Sequence, residues 1–122
     1  MNESEFVALA EAELTRIERT LEASGVDADV ERKGDGVLEI EFADGSKMIV
    51  NRHTAAREIW VAARSGGFHF RRAEAKQTDR PDDADDARWC DTRDRTELYA
   101  ALSALVSEQS GESVVLTRPD PG

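Results

Sequence analysis

Cysteine is nearly absent from this chain: Cys90 stands alone among 122 residues, so no intramolecular disulfide can form. That excludes the small secreted scaffolds held by disulfide frameworks. Long apolar runs are also missing, and no stretch approaches the roughly 20 residues of a membrane-spanning helix. The opening Met1-Asn2-Glu3-Ser4-Glu5 is acidic and lacks the basic start and apolar run of a signal peptide. The expected location is therefore the cytoplasm. Basic residues are outnumbered, 16 against 26 acids, for a formal net charge of −10. Such a chain is repelled by nucleic acid and anionic membranes and attracts metal cations or a basic protein patch.

Catalytic signatures are missing as well. His53 and His69 are not spaced as a zinc pair and have no cysteine motif beside them. Ser65-Gly66-Gly67 lacks the lysine and helix start of a phosphate loop. Ser46 and Ser65 have no triad context. Cys90 follows a tryptophan without an obvious base and reads as a packing residue. Nothing resembles the Glu-x-x-His pairs of a di-iron ferroxidase. The expectation is a protein that is not an enzyme.

What the chain does have is clear periodicity. Its length fits one domain with one core. Phe6, Ala10, Leu14, Ile17 and Leu21 recur at steps of three and four, predicting a helix from Glu3 to Leu21 that stops at Ser24-Gly25. The period then drops to two. Val26, Ala28 and Val30 alternate with Asp27, Asp29 and Glu31, a half-buried strand with an acidic outer face. Lys33-Gly34-Asp35-Gly36 reads as a turn, Leu38 to Phe42 as a second strand, Asp44-Gly45 as a hairpin signal and Lys47 to Arg52 as a third strand. Further strands are expected at Glu58 to Ala63, Phe68 to Phe70 and around Trp89-Cys90. Residues 71–88 are nearly all polar, contain Pro81 and read as a mobile acidic loop. Asp94 with Glu97 resembles a capping box for a last helix striped by Leu98, Leu102, Leu105 and Val106 and ending at Gly111. Val114 to Leu116 should pack back on the body, and residues 119–122 should be a disordered tail.

Short links favour antiparallel neighbours. Helices bracket the strands, so both can lie on one face of the sheet. The predicted fold class is α+β, a two-layer sandwich with an antiparallel sheet of about five to six strands.

The candidate site is acidic. On a helical wheel Glu18 and Glu22 fall within about 20° of Glu11. The following strand presents Asp27, Asp29 and Glu31 on one side. If helix and strand are neighbours, these six carboxylates join into one ridge, with Glu3 at one end. Carboxylate oxygens suit hard cations; ferric iron is hard and ferrous iron intermediate. A convex ridge holds ions weakly, at several points and partly in water. The same charges could instead dock a basic partner, or simply keep a solvated face soluble. The second feature is Asn51-Arg52-His53 with Trp60. Ile59, Val61 and Ala63 share one side of their strand, which leaves Trp60 on the other, as either an interface hot spot or an ordinary half-buried tryptophan.

These residues together resemble the bacterial frataxins, the CyaY family. The resemblance rests on Met1 to Phe6, Gly36 to Phe42 through Asp44-Gly45-Ser46-Lys47, Ile49 to Arg52, Ile59 to Ala62, Ser65 to Phe70 and Trp89-Cys90-Asp91, in the family's order. It implies an α-β-α sandwich over residues 1–118 and iron binding, ferrous or ferric, on Glu3, Glu11, Glu18, Glu22, Asp27, Asp29 and Glu31. It implies contact with a cysteine desulfurase through the ridge. It further implies that a sheet face carrying Asn51, Arg52 and Trp60 meets the iron–sulfur scaffold protein or the desulfurase. The implied role is iron donor or regulator of cluster assembly; the rival is an acidic adaptor with incidental metal binding. Arg19 and Ala23 stand where related helices often carry acids, and His53 where glutamine is common. Asp82-Asp83 and Asp85-Asp86 would offer a second cation site.

Overall fold

The computed structural model describes residues 2–72 and 88–118. The expected acidic loop and its second cation site, apart from its end residues 71, 72 and 88, lie outside the described residues, as does the 119–122 tail. Helix α1 (Glu3–Ser24) begins where Asn2 accepts the Glu5 N–H at 2.8 Å, a side-chain cap for an otherwise orphaned donor. It buries Phe6, Ala10, Leu14, Ile17 and Leu21 at the predicted spacing, and it stops at Gly25, whose φ of 78° is left-handed.

Strands β1 (Ala28–Arg32), β2 (Val37–Phe42), β3 (Lys47–His53), β4 (Glu58–Ala63), β5 (Gly66–Arg72) and β6 (Trp89–Asp91) form one sheet in sequence order, each antiparallel to the next. Helix α2 (Leu98–Ser110) closes the chain's regular structure. The α+β sandwich is as predicted. Alternation sends Leu38, Ile40, Phe42, Met48, Val50, Ile59, Val61 and Phe70 to the helix side, where they share one core with both helices. Trp89 meets Phe6 edge to face at 6.0 Å. Val114 and Leu116 are buried, tied to α2 through Ser107 and Ser103, which each exchange two hydrogen bonds with the tail backbone.

Two local expectations are corrected. Strand β5 reaches from Gly66 to Arg72, beyond Phe68 to Phe70, because every residue from Gly66 to Arg71 finds a partner on β4. The cap of α2 is Glu97 and not Asp94. The Glu97 carboxylate accepts the Tyr99 and Ala100 N–H groups at 2.9 and 3.1 Å, while Asp94 closes a separate turn on the Thr96 N–H at 2.9 Å.

Candidate functional site

Alternation within the edge strand β1 decides where the acids go. Ala28 and Val30 pack against the core, and Arg32 shares their side. Asp29 and Glu31 therefore project from the opposite, open side of the sheet, opposite Glu41 and Glu39 of β2. The acids of α1 lie in the helix layer. The two sets are separated by the free edge of β1, so the acidic region wraps an edge and does not run along one face.

Within that region the carboxylates differ in what they hold. Glu11 is half-buried and binds two guanidinium groups, those of Arg32 and Arg52. Arg32 also donates to the Thr15 hydroxyl at 3.3 Å. Gly36 makes this possible: its φ is 73°, and a Cβ there would stand 3.0 Å from the Arg52 guanidinium. Glu31 pairs with Lys33 at 3.2 Å, and Lys33 reaches Glu39 at 3.7 Å. Glu31 first, and Glu39 after it, hold the Lys33 ammonium above the ordinary lysine value. Lys47 pairs with Glu39 at 3.5 Å. Among the described residues, Glu3, Glu18, Glu22, Asp27 and Asp29 form no ion pair. All but Glu18, which is half-exposed, are exposed.

Glu3 sits in the first turn of α1, where negative charge is favoured by the helix dipole. Asp27 donates its backbone N–H to Glu112 at 2.9 Å, which brings a further carboxylate to the same end. Asp27, Asp29 and Glu41 line a shallow concavity of about 240 Å³ with Ala28, Phe42, Ala43 and Gly45. No three of the described histidine, cysteine, aspartate and glutamate side chains are grouped to hold a metal ion together.

The open face of the sheet carries a different chemistry. Asn51, Trp60 and His69 are register partners across β3, β4 and β5, and His53, Glu58 and Arg71 form the next row. Arg52 is not among them. Its side chain follows Met48 and Val50 to the helix side and is held by Glu11, so the expected Asn51, Arg52 and Trp60 surface is split between two faces. Instead, His53 stacks on Trp60 with centroids 3.7 Å apart and planes within 9°. His69 stacks on its other side at 4.2 Å and 8°. The indole N–H donates to Glu58 at 2.8 Å, and Arg71 donates to the other Glu58 oxygen at 2.7 Å. His69 Nδ1 lies 3.7 Å from Glu58, and His53 Nδ1 accepts the Ala56 N–H at 3.3 Å. The sequence put His53 beside Trp60 only as part of the Asn51-Arg52-His53 segment, and it gave His69 no role. Only the strand register brings them to Trp60, and the sequence alone does not state a register.

A frataxin-like domain matches residues 1–112. The chain is 56% identical over 116 residues to the iron–sulfur cluster assembly protein CyaY of Dechloromonas aromatica (strain RCB), spanning 95% of this chain and 99% of that one. It is 53% identical over 119 residues to the protein of the same name from Ralstonia pickettii (strain 12J), spanning 95% of each. Its structure is similar to frataxin from Psychromonas ingrahamii, with a TM-score of 0.77, 32% identity, and coverage of 96% of this chain and 99% of that one.

Proposed function

The chain belongs to the frataxin-like family, and on that premise we propose that it acts in iron–sulfur cluster assembly as a cytoplasmic, non-enzymatic, iron-binding regulator or iron donor. It docks on the cysteine desulfurase and its scaffold protein. The observation that carries this reading is the unpaired state of Glu3, Glu18, Glu22, Asp27 and Asp29 among the described residues. Carboxylates without counter-ions at one edge of an acidic molecule leave a negative field to which a cation or a basic surface responds. Glu11 contributes little to that field, since two arginines neutralise it, and Glu31 is half-satisfied by Lys33. The effective ridge is thus narrower than the seven acids the resemblance implies. Iron held there keeps most of its water, in line with the absence of a three-ligand group among the described residues.

Anaerobic titration with ferrous iron, followed by ferric iron in a second series, tests the metal half by amide NMR. Signals of Glu18, Glu22, Asp27 and Asp29 should move before all others. Movement starting elsewhere removes the ridge as the iron site. Pull-down of the desulfurase by native and E18K/E22K protein tests the docking half; loss of capture in the folded variant is the expected result. The rival adaptor reading predicts the same capture and the same effect on cluster assembly whether or not iron is present.

A further inference from the structure

Two Asp-Gly pairs stand in the chain, Asp35-Gly36 between β1 and β2 and Asp44-Gly45 between β2 and β3. An aspartyl-glycine bond carries a latent reaction. The glycine nitrogen can attack the aspartate Cγ, because no Cβ on the glycine obstructs the approach. The structure treats the two pairs differently. At Asp44-Gly45 both reacting groups are engaged. One Asp44 oxygen accepts the Ser46 N–H at 2.9 Å and the Ser46 hydroxyl at 2.6 Å, and the other accepts from Arg64. Those bonds, Ser46 first and Arg64 after it, hold the Asp44 pKa down at about 2. A carboxyl kept charged in this way is a poor electrophile. The Gly45 N–H donates to the Phe42 carbonyl at 2.9 Å. Asp35-Gly36 has none of these restraints. Among the described residues the exposed Asp35 carboxylate holds no hydrogen bond or ion pair, and the Gly36 N–H donates to no backbone carbonyl.

We propose that Asp35-Gly36 is a modification site, where the chain converts itself to isoaspartate and thereby slackens the tie between α1 and β3. The Gly36 nitrogen bonds to Asp35 Cγ, its proton and the hydroxyl of the protonated carboxyl leave as water, and a five-membered succinimide closes. Water then reopens the ring. Attack at Cγ returns aspartate. Attack at the main-chain carbonyl carbon leaves the backbone running through Cβ and Cγ, with the former main-chain carboxyl as the side chain. One water leaves and one returns, so the mass is unchanged and no other reactant is needed. The product is placed where it disturbs the fold. Gly36 is buried with φ at 73°, and its carbonyl accepts the Arg52 N–H at 2.8 Å. Even a Cβ on Gly36 would stand 3.0 Å from the Arg52 guanidinium, which binds Glu11 of α1. Isoaspartate lengthens the main chain by one carbon immediately before this glycine. Gly36 then shifts against Arg52, and the bridge to Glu11 loses its geometry.

The test incubates the folded full-length protein at neutral pH without metal. Samples are digested and then exposed to an isoaspartyl-specific carboxyl methyltransferase with a labelled methyl donor. Cleavage after glutamate separates the two sites, since Asp35 lies between Glu31 and Glu39 and Asp44 lies beyond Glu41. Label should accumulate in the Asp35 peptide several-fold faster than in the Asp44 peptide. In the urea-unfolded chain, where neither carboxylate is held, the two rates should converge. Combined Ser46→Ala and Arg64→Ala substitution should raise the Asp44 rate in the folded protein. Asp35→Glu, whose longer side chain closes a ring less readily, should leave the Asp35 peptide unlabelled. As label accumulates, the native protein should lose urea resistance, while Asp35→Glu aged in parallel should keep its own midpoint. Equal or faster labelling at Asp44 in the folded protein, or labelling at neither site, overturns the assignment of the site. Labelling at Asp35 with no fall in the native urea midpoint overturns the slackened tie.

Discussion

Glu13 shows how much one residue can hide in a helical pattern. It is 1% exposed inside α1; Tyr99 donates its hydroxyl hydrogen to it at 2.5 Å, Arg16 donates at 3.1 Å, and the Arg118 guanidinium forms an ion pair with it, Nε lying 3.7 Å away. It lies seven residues after Phe6 and four before Ile17, on the buried stripe, but its charge reads as solvated. Position, not residue type, carried the signal. Removing a member of a buried ionic group leaves the others uncompensated, so Glu13→Ala should cost about 3–5 kcal/mol in urea unfolding; a loss under 1 kcal/mol would show the group to be dispensable. Burial, with Glu13 behind it, pushes the Tyr99 hydroxyl well above the ordinary tyrosine value. The folded protein thus keeps a proton that the unfolded chain releases from about pH 10. The stability tied to this proton is complete below that pH and is lost progressively above it. Denaturation midpoints should fall between pH 9.5 and 11.5 in the native protein, and Tyr99→Phe, though less stable at neutral pH, should show a shallower fall over the same range.

At the level of elements, the pattern was largely legible where one face of an element is buried. The apolar residues of α1 recur at helical spacing, those of β2 and β4 at spacing two, and the structure buries those same side chains. The errors fall where local hydrogen bonds compete. Asp94 and Glu97 are both plausible acceptors at a helix start, and spacing does not rank them. The structure gives Glu97 two helix N–H groups and leaves Asp94 to the turn before it. Glu97→Ala should therefore cost about 0.5–2 kcal/mol, in the range of other lost caps, and speed amide exchange at Tyr99 and Ala100. Asp94→Ala should leave those amides unchanged. Equal exchange in the two variants would put the cap back at Asp94. Side-chain direction beyond the buried rows was the part not legible. Arg52 and Asn51 are neighbours in sequence, yet β3 sends them to opposite faces, and only the register with Trp60 and the salt bridge to Glu11 reveals which goes where.

Across the whole molecule, a net charge of −10 is not a uniform field, because some acids serve the fold and others do not. Glu11 bridges α1 to β1 and β3 through Arg32 and Arg52; Glu18 and Glu22, one turn apart on the same helix, bridge nothing among the described residues. The sequence placed all three on one stripe and could not sort them, since the arginines come from strands 20 and more residues away. The sorting makes stability and cation capture separable. Glu11→Gln leaves two half-buried guanidinium groups without their carboxylate, so it should lower the unfolding free energy by about 1–3 kcal/mol while iron-induced NMR shifts at Glu18, Glu22, Asp27 and Asp29 stay within roughly twofold in apparent affinity. E18K/E22K should do the reverse, with unfolding changed by less than about 0.5 kcal/mol and those shifts lost. Raising salt from 0.15 to 1 M shortens the screening length from about 8 to about 3 Å, and should erase capture by the native protein while sparing the shielded Glu11 bridge. If Glu11→Gln abolished capture as fully as the double reversal, the bridged carboxylate would belong to the cation site after all, and the division of labour between the acids would be wrong.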